Sequence, residues 1–218
     1  QLSPNQQDLL FAHGRGDVRV YHLETGKAET LVDSFSAPAF DVSPDGKWIV
    51  YARTDNNFNS DIWIAPIDQT SEAINISRHP DDEYGPKWSP DGSKIVYTRG
   101  DVMTNFDIYS MDADGGNHLR LTEHAERDQR AVWSPDGQMI AFESQRDGDK
   151  SIWLMDADGS NKRKVVEGRE PSWSPDGKQI AFTSSAFDGN DEIYLIGVDG
   201  SNRVRLTENK KYDWFASW

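Results

Sequence analysis

The chain has 218 residues, 36% hydrophobic and 11% aromatic, which suffices for one good core or for a repeat array sharing a continuous one. A formal net charge of -14 sets up a field that repels phosphate backbones and anionic membrane surfaces, which argues against nucleic acid as a partner. With no cysteine the chain holds no disulfide framework, thiol nucleophile or cysteine zinc site, and no apolar run approaches the length of a membrane span, so membrane insertion is not expected.

The first element in chain order is a turn. Ser3-Pro4-Asn5-Gln6 is a worn form of Ser-Pro-Asp-Gly, which returns from Ser43, Ser89, Ser134 and Ser174 at steps of 40, 46, 45 and 40 residues. A period of this size marks a solenoid, a propeller or another repeat array. Pro presets the first central residue of a tight turn, Asp suits the second, and Gly takes the next position, where φ is often positive. Each copy therefore predicts a hairpin.

A short apolar run follows each turn, at residues 9–12, 48–52, 95–98, 140–143 and 180–183. After a polar loop come Val18-Arg19, Ile62-Trp63, Ile108-Tyr109, Ile152-Trp153 and Ile193-Tyr194, in segments that alternate like half-buried strands. A second turn is written "ETGK" from Glu24, "DADGGN" from Asp112, "DADGSN" from Asp156 and "VDGSN" from Val198, and a strand such as 118–121 or 203–206 follows it. The residues before each Trp-Ser-Pro supply one more strand, so each repeat holds four short strands and no helix-length segment. That is the size of one propeller blade.

The chain closes with "LTENKKYDWFASW", which keeps its Leu-Thr and final Trp in register with "LTEHAERDQRAVW" at 121–133. This carboxyl-terminal segment is expected to complete the first blade and to remove an exposed sheet edge. The expected fold is all-β, a five-bladed β-propeller of four-stranded antiparallel blades closed by a C-terminal strand. It forms one domain over 1–218, with repeats at about 1–42, 43–88, 89–133, 134–173 and 174–218. A piece of a larger ring, and a designed or evolved repeat protein without a ligand, are the alternatives.

"PKWSPDGSKIVYTRG", "AVWSPDGQMIAFESQRDGDKSIWLMDADGSN" and "PSWSPDGKQIAFTSSAFDGNDEIYLIGVDGSNRVRLT" together resemble the TolB-type, WD-repeat-like β-propeller repeat over the whole chain. The first copy departs from the pattern, with Leu2 in place of Trp and Asn5-Gln6 in place of Asp-Gly. The resemblance implies a periplasmic or extracytoplasmic platform acting through protein contacts, as TolB does with peptidoglycan-associated lipoprotein. TolB propellers usually have six blades, and TolB's amino-terminal domain has no counterpart in this sequence. Related repeats also gate prolyl oligopeptidases and dipeptidyl peptidases and resemble those of oligogalacturonate lyases; fold alone does not choose among these.

In such a blade the two turn types lie on one face, while the remaining loops and the crossings between blades lie on the other, where the copies differ. Binding residues concentrate on variable loops held by a rigid scaffold. "RHPDDEYGPK" from Arg78, "EHAERDQRAV" from Glu123, "GREPS" from Gly168 and "NKKYDWFAS" from Asn209 belong there, with His79, His124 and Asn209 at one register position and Glu83, Asp128 and Asp213 at another. The candidate partner-binding residues are His79, Tyr84, Lys87, His124, Arg127, Asp128, Arg130, Tyr212, Asp213 and Trp214. A repeated acid has a structural reading as well, tying one blade to the next. Outer loops add Arg53, Phe58, Arg99, Phe106, Arg146 and Phe187, whose phenylalanines either anchor a partner or fold back over their blades.

Two imidazoles near carboxylates could ligate zinc or manganese, but His79 and His124 stand in different blades, so no metal is assigned. Asp112 with Asp114 and Asp156 with Asp158 lack the other ligands of a calcium loop. Gly-x-Ser-x-Gly, His-Glu-x-x-His and phosphate-loop motifs are all missing. The expected function is a monomeric, non-enzymatic, cofactor-free scaffold for a protein or peptide. A carbohydrate-binding or polysaccharide-lyase-like propeller is the alternative.

Overall fold

A computed structural model describes all residues except 1–2, 4–6, 14–16, 33–38, 102–104, 188, 209–210 and 215. The described residues form nineteen strands in five sheets and no helix, so none of them forms a helix able to cross a membrane. The first sheet holds β1 (Asp8–His13), β2 (Asp17–His22) and β3 (Lys27–Val32), and the second β4 (Phe40–Val42), β5 (Trp48–Thr54), β6 (Ser60–Pro66) and β7 (Ile74–Asn75). The third has β8 (Asp82–Trp88), β9 (Lys94–Asp101), β10 (Asn105–Asp112) and β11 (Leu119–Arg120). The fourth has β12 (Asp128–Trp133), β13 (Met139–Ser144), β14 (Ser151–Asp156) and β15 (Arg163–Glu167), and the fifth β16 (Arg169–Trp173), β17 (Gln179–Ser184), β18 (Glu192–Gly197) and β19 (Val204–Arg205). Each sheet is an antiparallel meander, and together they are the five blades of a propeller fold.

The chain divides into two compact units, Gln1–Val102 with Ser110–Leu119, and Met103–Tyr109 with Arg120–Trp218. In the first, Leu10, Val18, Val20, Ile49 and Tyr51 form a core between the first two sheets. In the second, Ala141, Ile152, Leu154, Trp173, Ile180, Phe182 and Tyr194 do the same between the fourth and fifth. The expected alternation gives way to nearly continuous burial in the second strand of these sheets. Ile140 to Ser144 and Ile180 to Ser184 are all buried. A strand covered on both sides has no solvent face to fill with polar side chains.

The Ser-Pro-Asp-Gly copies are clasps built from their own atoms. At Ser134, Gly137 N donates to Ser134 O at 2.9 Å, Ser134 Oγ donates to Asp136 Oδ1 at 2.6 Å, and Met139 N donates to Ser134 Oγ at 2.9 Å. The same bonds recur at Ser43, Ser89 and Ser174. These bonds hold Asp45, Asp91, Asp136 and Asp176 below the usual carboxylate range, the Ser hydroxyl contributing most. In the first copy Ser3 Oγ accepts from Asp8 N at 3.0 Å, while Leu2 and Pro4 to Gln6 lie outside the described residues.

The Leu-Thr step is a second clasp, between the third strand and the crossing loop. Ile108 N donates to Thr122 Oγ1 at 2.9 Å and Thr122 Oγ1 donates to Asp107 Oδ1 at 3.2 Å. Ile193, Thr207 and Glu192 repeat it at 2.9 and 2.6 Å.

Among the described residues the first sheet has three strands, and those of 207–218 form no strand. The expected closing strand is therefore not among the strands described. The carboxyl end meets the fifth sheet as the first strand of a following blade does: Trp218 Nε1 donates to Ser172 O at 3.3 Å, as Trp173 Nε1 of the fifth sheet donates to Val132 O of the fourth at 3.2 Å.

Candidate binding face

At the loop ends of the sheets the crossing loops are capped by their own histidines. His79 Nδ1 accepts from Asp81 N at 3.1 Å, His79 N donates to Asp61 Oδ1 at 3.1 Å, and Asn59 Nδ2 donates to His79 O. His124 does the same with Glu126 N at 3.0 Å, Asp107 Oδ1 at 3.3 Å and Asn105 Nδ2. Each imidazole spends one nitrogen on its loop. The third residue predicted at this position, Asn209, lies outside the described residues.

The repeated acid is an anchor for an arginine. Glu83 and Asp128 are fully buried, each paired with an arginine at 2.7 Å, Arg99 on β9 and Arg146 in the turn after β13. Burial pushes the Glu83 carboxyl above its ordinary value despite the Arg99 guanidinium. Asp213, expected in the same register, is half-buried and its backbone N–H donates to Asp191 O at 2.9 Å.

In the first unit, Tyr84 is half-buried, its hydroxyl pKa raised chiefly by desolvation. Lys87 reaches back to the second sheet, with Nζ 3.6 Å from Asp41 Oδ1 and 3.4 Å from Phe40 O. The outer phenylalanines divide. Phe58 is 85% exposed at φ +63°, on a loop pinned by Asn57 N and Asn59 N to Asp55 Oδ1. Beside it a cavity of about 360 Å³ is bordered by Asn57, Pro80, Asp82 and Asp101.

In the second unit Phe106 is buried beneath the Arg127 guanidinium, 5.3 Å from its ring, and Phe187 packs edge-on against Tyr194 with Arg203 above it. A row of polar groups spans the loop ends of the fourth and fifth sheets. Arg130 Nη1 donates to Glu170 Oε1 at 2.9 Å, and Arg130 Nε lies 3.9 Å from the buried Glu143. Arg169 Nη2 meets Asp191 Oδ2 at 2.5 Å, and Trp214 Nε1 donates to that oxygen at 3.0 Å. Although burial opposes it, Arg169 and Trp214 hold the Asp191 carboxyl below its usual range. Trp214 stacks on Tyr212 with ring centroids 6.0 Å apart, and the two are 53% and 65% exposed. Arg130, Tyr212 and Trp214 are thus brought to one region. His124, Arg127 and Asp128 are spent on internal contacts.

Sequence reasoning missed a β-bulge. Three residues before each Trp, Gly85, Arg130 and Glu170 take φ of +59°, +57° and +60°, and the pairing of β8, β12 and β16 with the next strand shifts there. A bulge re-aims its side chain, which is how Arg130 and Glu170 come to face each other. Gly85 was the one visible sign.

The fold has known counterparts. A structure assigned as TolB from Agrobacterium tumefaciens has a TM-score of 0.79 at 28% identity, over 95% of this chain and 79% of that one. TolB from Acinetobacter baumannii gives 0.83 at 22% identity, over 100% of this chain and 55% of that one. The fold also recurs in oligogalacturonate lyases at 17% and 18% identity. An uncharacterized protein of Agrobacterium fabrum (strain C58) is 42% identical over 60 residues; the match spans 28% of this chain and 20% of that curated relative. The sequence signature of the TolB beta propeller domain matches residues 41–170, more than half of the chain, and the protein belongs to that family.

Proposed function

We propose that the protein is a monomeric, non-enzymatic binding module of the periplasm or another extracytoplasmic compartment, taking a protein or peptide at its loop ends. The observation that carries this reading is the Tyr212–Trp214 pair, stacked, exposed and pinned to Asp191. Two large exposed rings held in one geometry are costly to leave in water and lose little entropy on binding, the properties of interface hot spots. The adjoining Arg130–Glu170 pair supplies a polar rim. Family membership places the chain among propellers, and the resemblance to TolB supports the compartment and the kind of partner.

The test is a cross-linking pull-down from the envelope extract of a Gram-negative bacterium, using the full chain and its Tyr212→Ala, Trp214→Ala double variant. A protein held by the first and lost by the second, at equal melting temperature, is the expected result. Equal retention by both, or stabilisation of the chain by acidic oligosaccharides with no protein retained, overturns the reading.

A further inference from the structure

At the opposite ends of the second and third sheets, within the first unit, lies a feature that the repeat does not account for. A cavity of about 650 Å³ is lined by Trp48, Trp88 and Ile64 and by the turn carboxylates Asp45, Asp91 and Asp114. Its volume falls in the range of small-ligand sites. Trp48 is unrepeated: the residues five after Ser89, Ser134 and Ser174 are Lys94, Met139 and Gln179. Clasp chemistry does not ask for an aromatic there, because the clasp uses only the backbone N–H of that residue.

The polar groups are left in a particular state. Asp45 Oδ1 accepts from Ser43 Oγ and Lys47 N, Asp91 Oδ1 from Ser89 Oγ and Ser93 N, and Asp114 Oδ1 from Gly116 N. These neighbours orient the carboxylates; among the described residues none of the three forms a salt bridge within 4.0 Å, although the Lys47 charge also favours the ionised Asp45. Trp88, 9% exposed, lines the same cavity; its indole nitrogen is buried and, among the described residues, without a partner, as is that of Trp133, whereas the equivalent indole of Trp173 donates to Val132 O. The site therefore offers two aromatic side chains and three anionic groups.

We propose that this cavity docks a basic peptide segment, with the stem of one lysine or arginine against Trp48 and Trp88 and its cationic head among Asp45, Asp91 and Asp114. Aromatic faces attract cations electrostatically, the stem covers apolar surface, and the three carboxylates complement the cationic head. The site is independent of the loop-end reading and lies at the other end of the sheets.

The experiment is calorimetric titration of the full chain with a blocked tetralysine peptide at physiological salt, followed by the indole N–H resonances. Asp45→Asn, Asp91→Asn, Asp114→Asn together, and Trp48→Met alone, are each expected to weaken binding at least about tenfold. A control triple, Asp136→Asn, Asp176→Asn, Asp199→Asn, removes equal charge from the matching turns of the fourth and fifth sheets, where Met139 stands in place of Trp48. It is expected to change affinity less than about twofold. Equal weakening by both triples, full affinity in Trp48→Met, or no binding by the unaltered chain overturns the proposal. Should the first triple fail to fold, Trp48→Met decides, since the clasp bond from its backbone is kept.

Discussion

The turn ends and the loop ends of the sheets obey different rules. At the turn ends, the Ser-to-Asp bond is 2.6 or 2.7 Å in all four full copies. At the loop ends, equivalent positions hold Gly85, Arg130 and Glu170, or Lys87, Val132 and Ser172, with different partners each time. The difference teaches where selection on the fold stops. A side chain that satisfies its own turn is fixed by local geometry, whereas one that meets another sheet is free to change with its partner.

Four measurements break or sharpen this contrast. The largest effect belongs to the shared core: Phe182→Ala empties a fully buried ring site and should cost about 3–5 kcal/mol in denaturant unfolding. Next, Ser174→Ala removes the hydroxyl that serves both Asp176 and Gln179 N, a loss of about 1–2 kcal/mol at a buried site. If it proves neutral, the clasp is ornament rather than structure.

The third concerns acid. The folded pKa values of Asp45, Asp91, Asp136 and Asp176 lie below their unfolded values, so these groups contribute full stability above the ordinary carboxylate range. That contribution is lost as pH falls through the folded values, and Asp136→Asn should flatten the acid limb of a melting-temperature profile. An unchanged limb counts against the clasp as its source. The smallest stability effect is expected at the loop ends, where Tyr212→Ala should fall within about 0.5 kcal/mol of the parent. A larger loss would make that aromatic pair part of the fold.

Much of the fold was legible because its signals are contiguous. Ser-Pro-Asp-Gly, Asp-Ala-Asp-Gly and Leu-Thr each encode a local bond pattern, so spacing alone located the sheets. The loop ends were less legible. Arg99 finds Glu83 sixteen residues away and Arg130 finds Glu170 forty residues away, and neither separation follows from a local pattern. The exposure of Phe58 against the burial of Phe106 depends on whether a neighbour covers the ring, which a phenylalanine in a polar loop does not reveal. Lys87, unrepeated and basic, read like a free contact but is tied to Asp41.

The bulge in the first strand of the third, fourth and fifth sheets also bears on how such a chain can vary. A one-residue slip in a strand turns every side chain to the other face, so a length change in a crossing loop would ordinarily swing the Trp end out of place. An extra residue already accommodated at Gly85, Arg130 and Glu170 acts as an expansion joint. Loop segments upstream of it can lengthen or shorten while the tryptophan and its clasp keep their alignment, as the unequal spacing of the turns, 46, 45 and 40 residues, records.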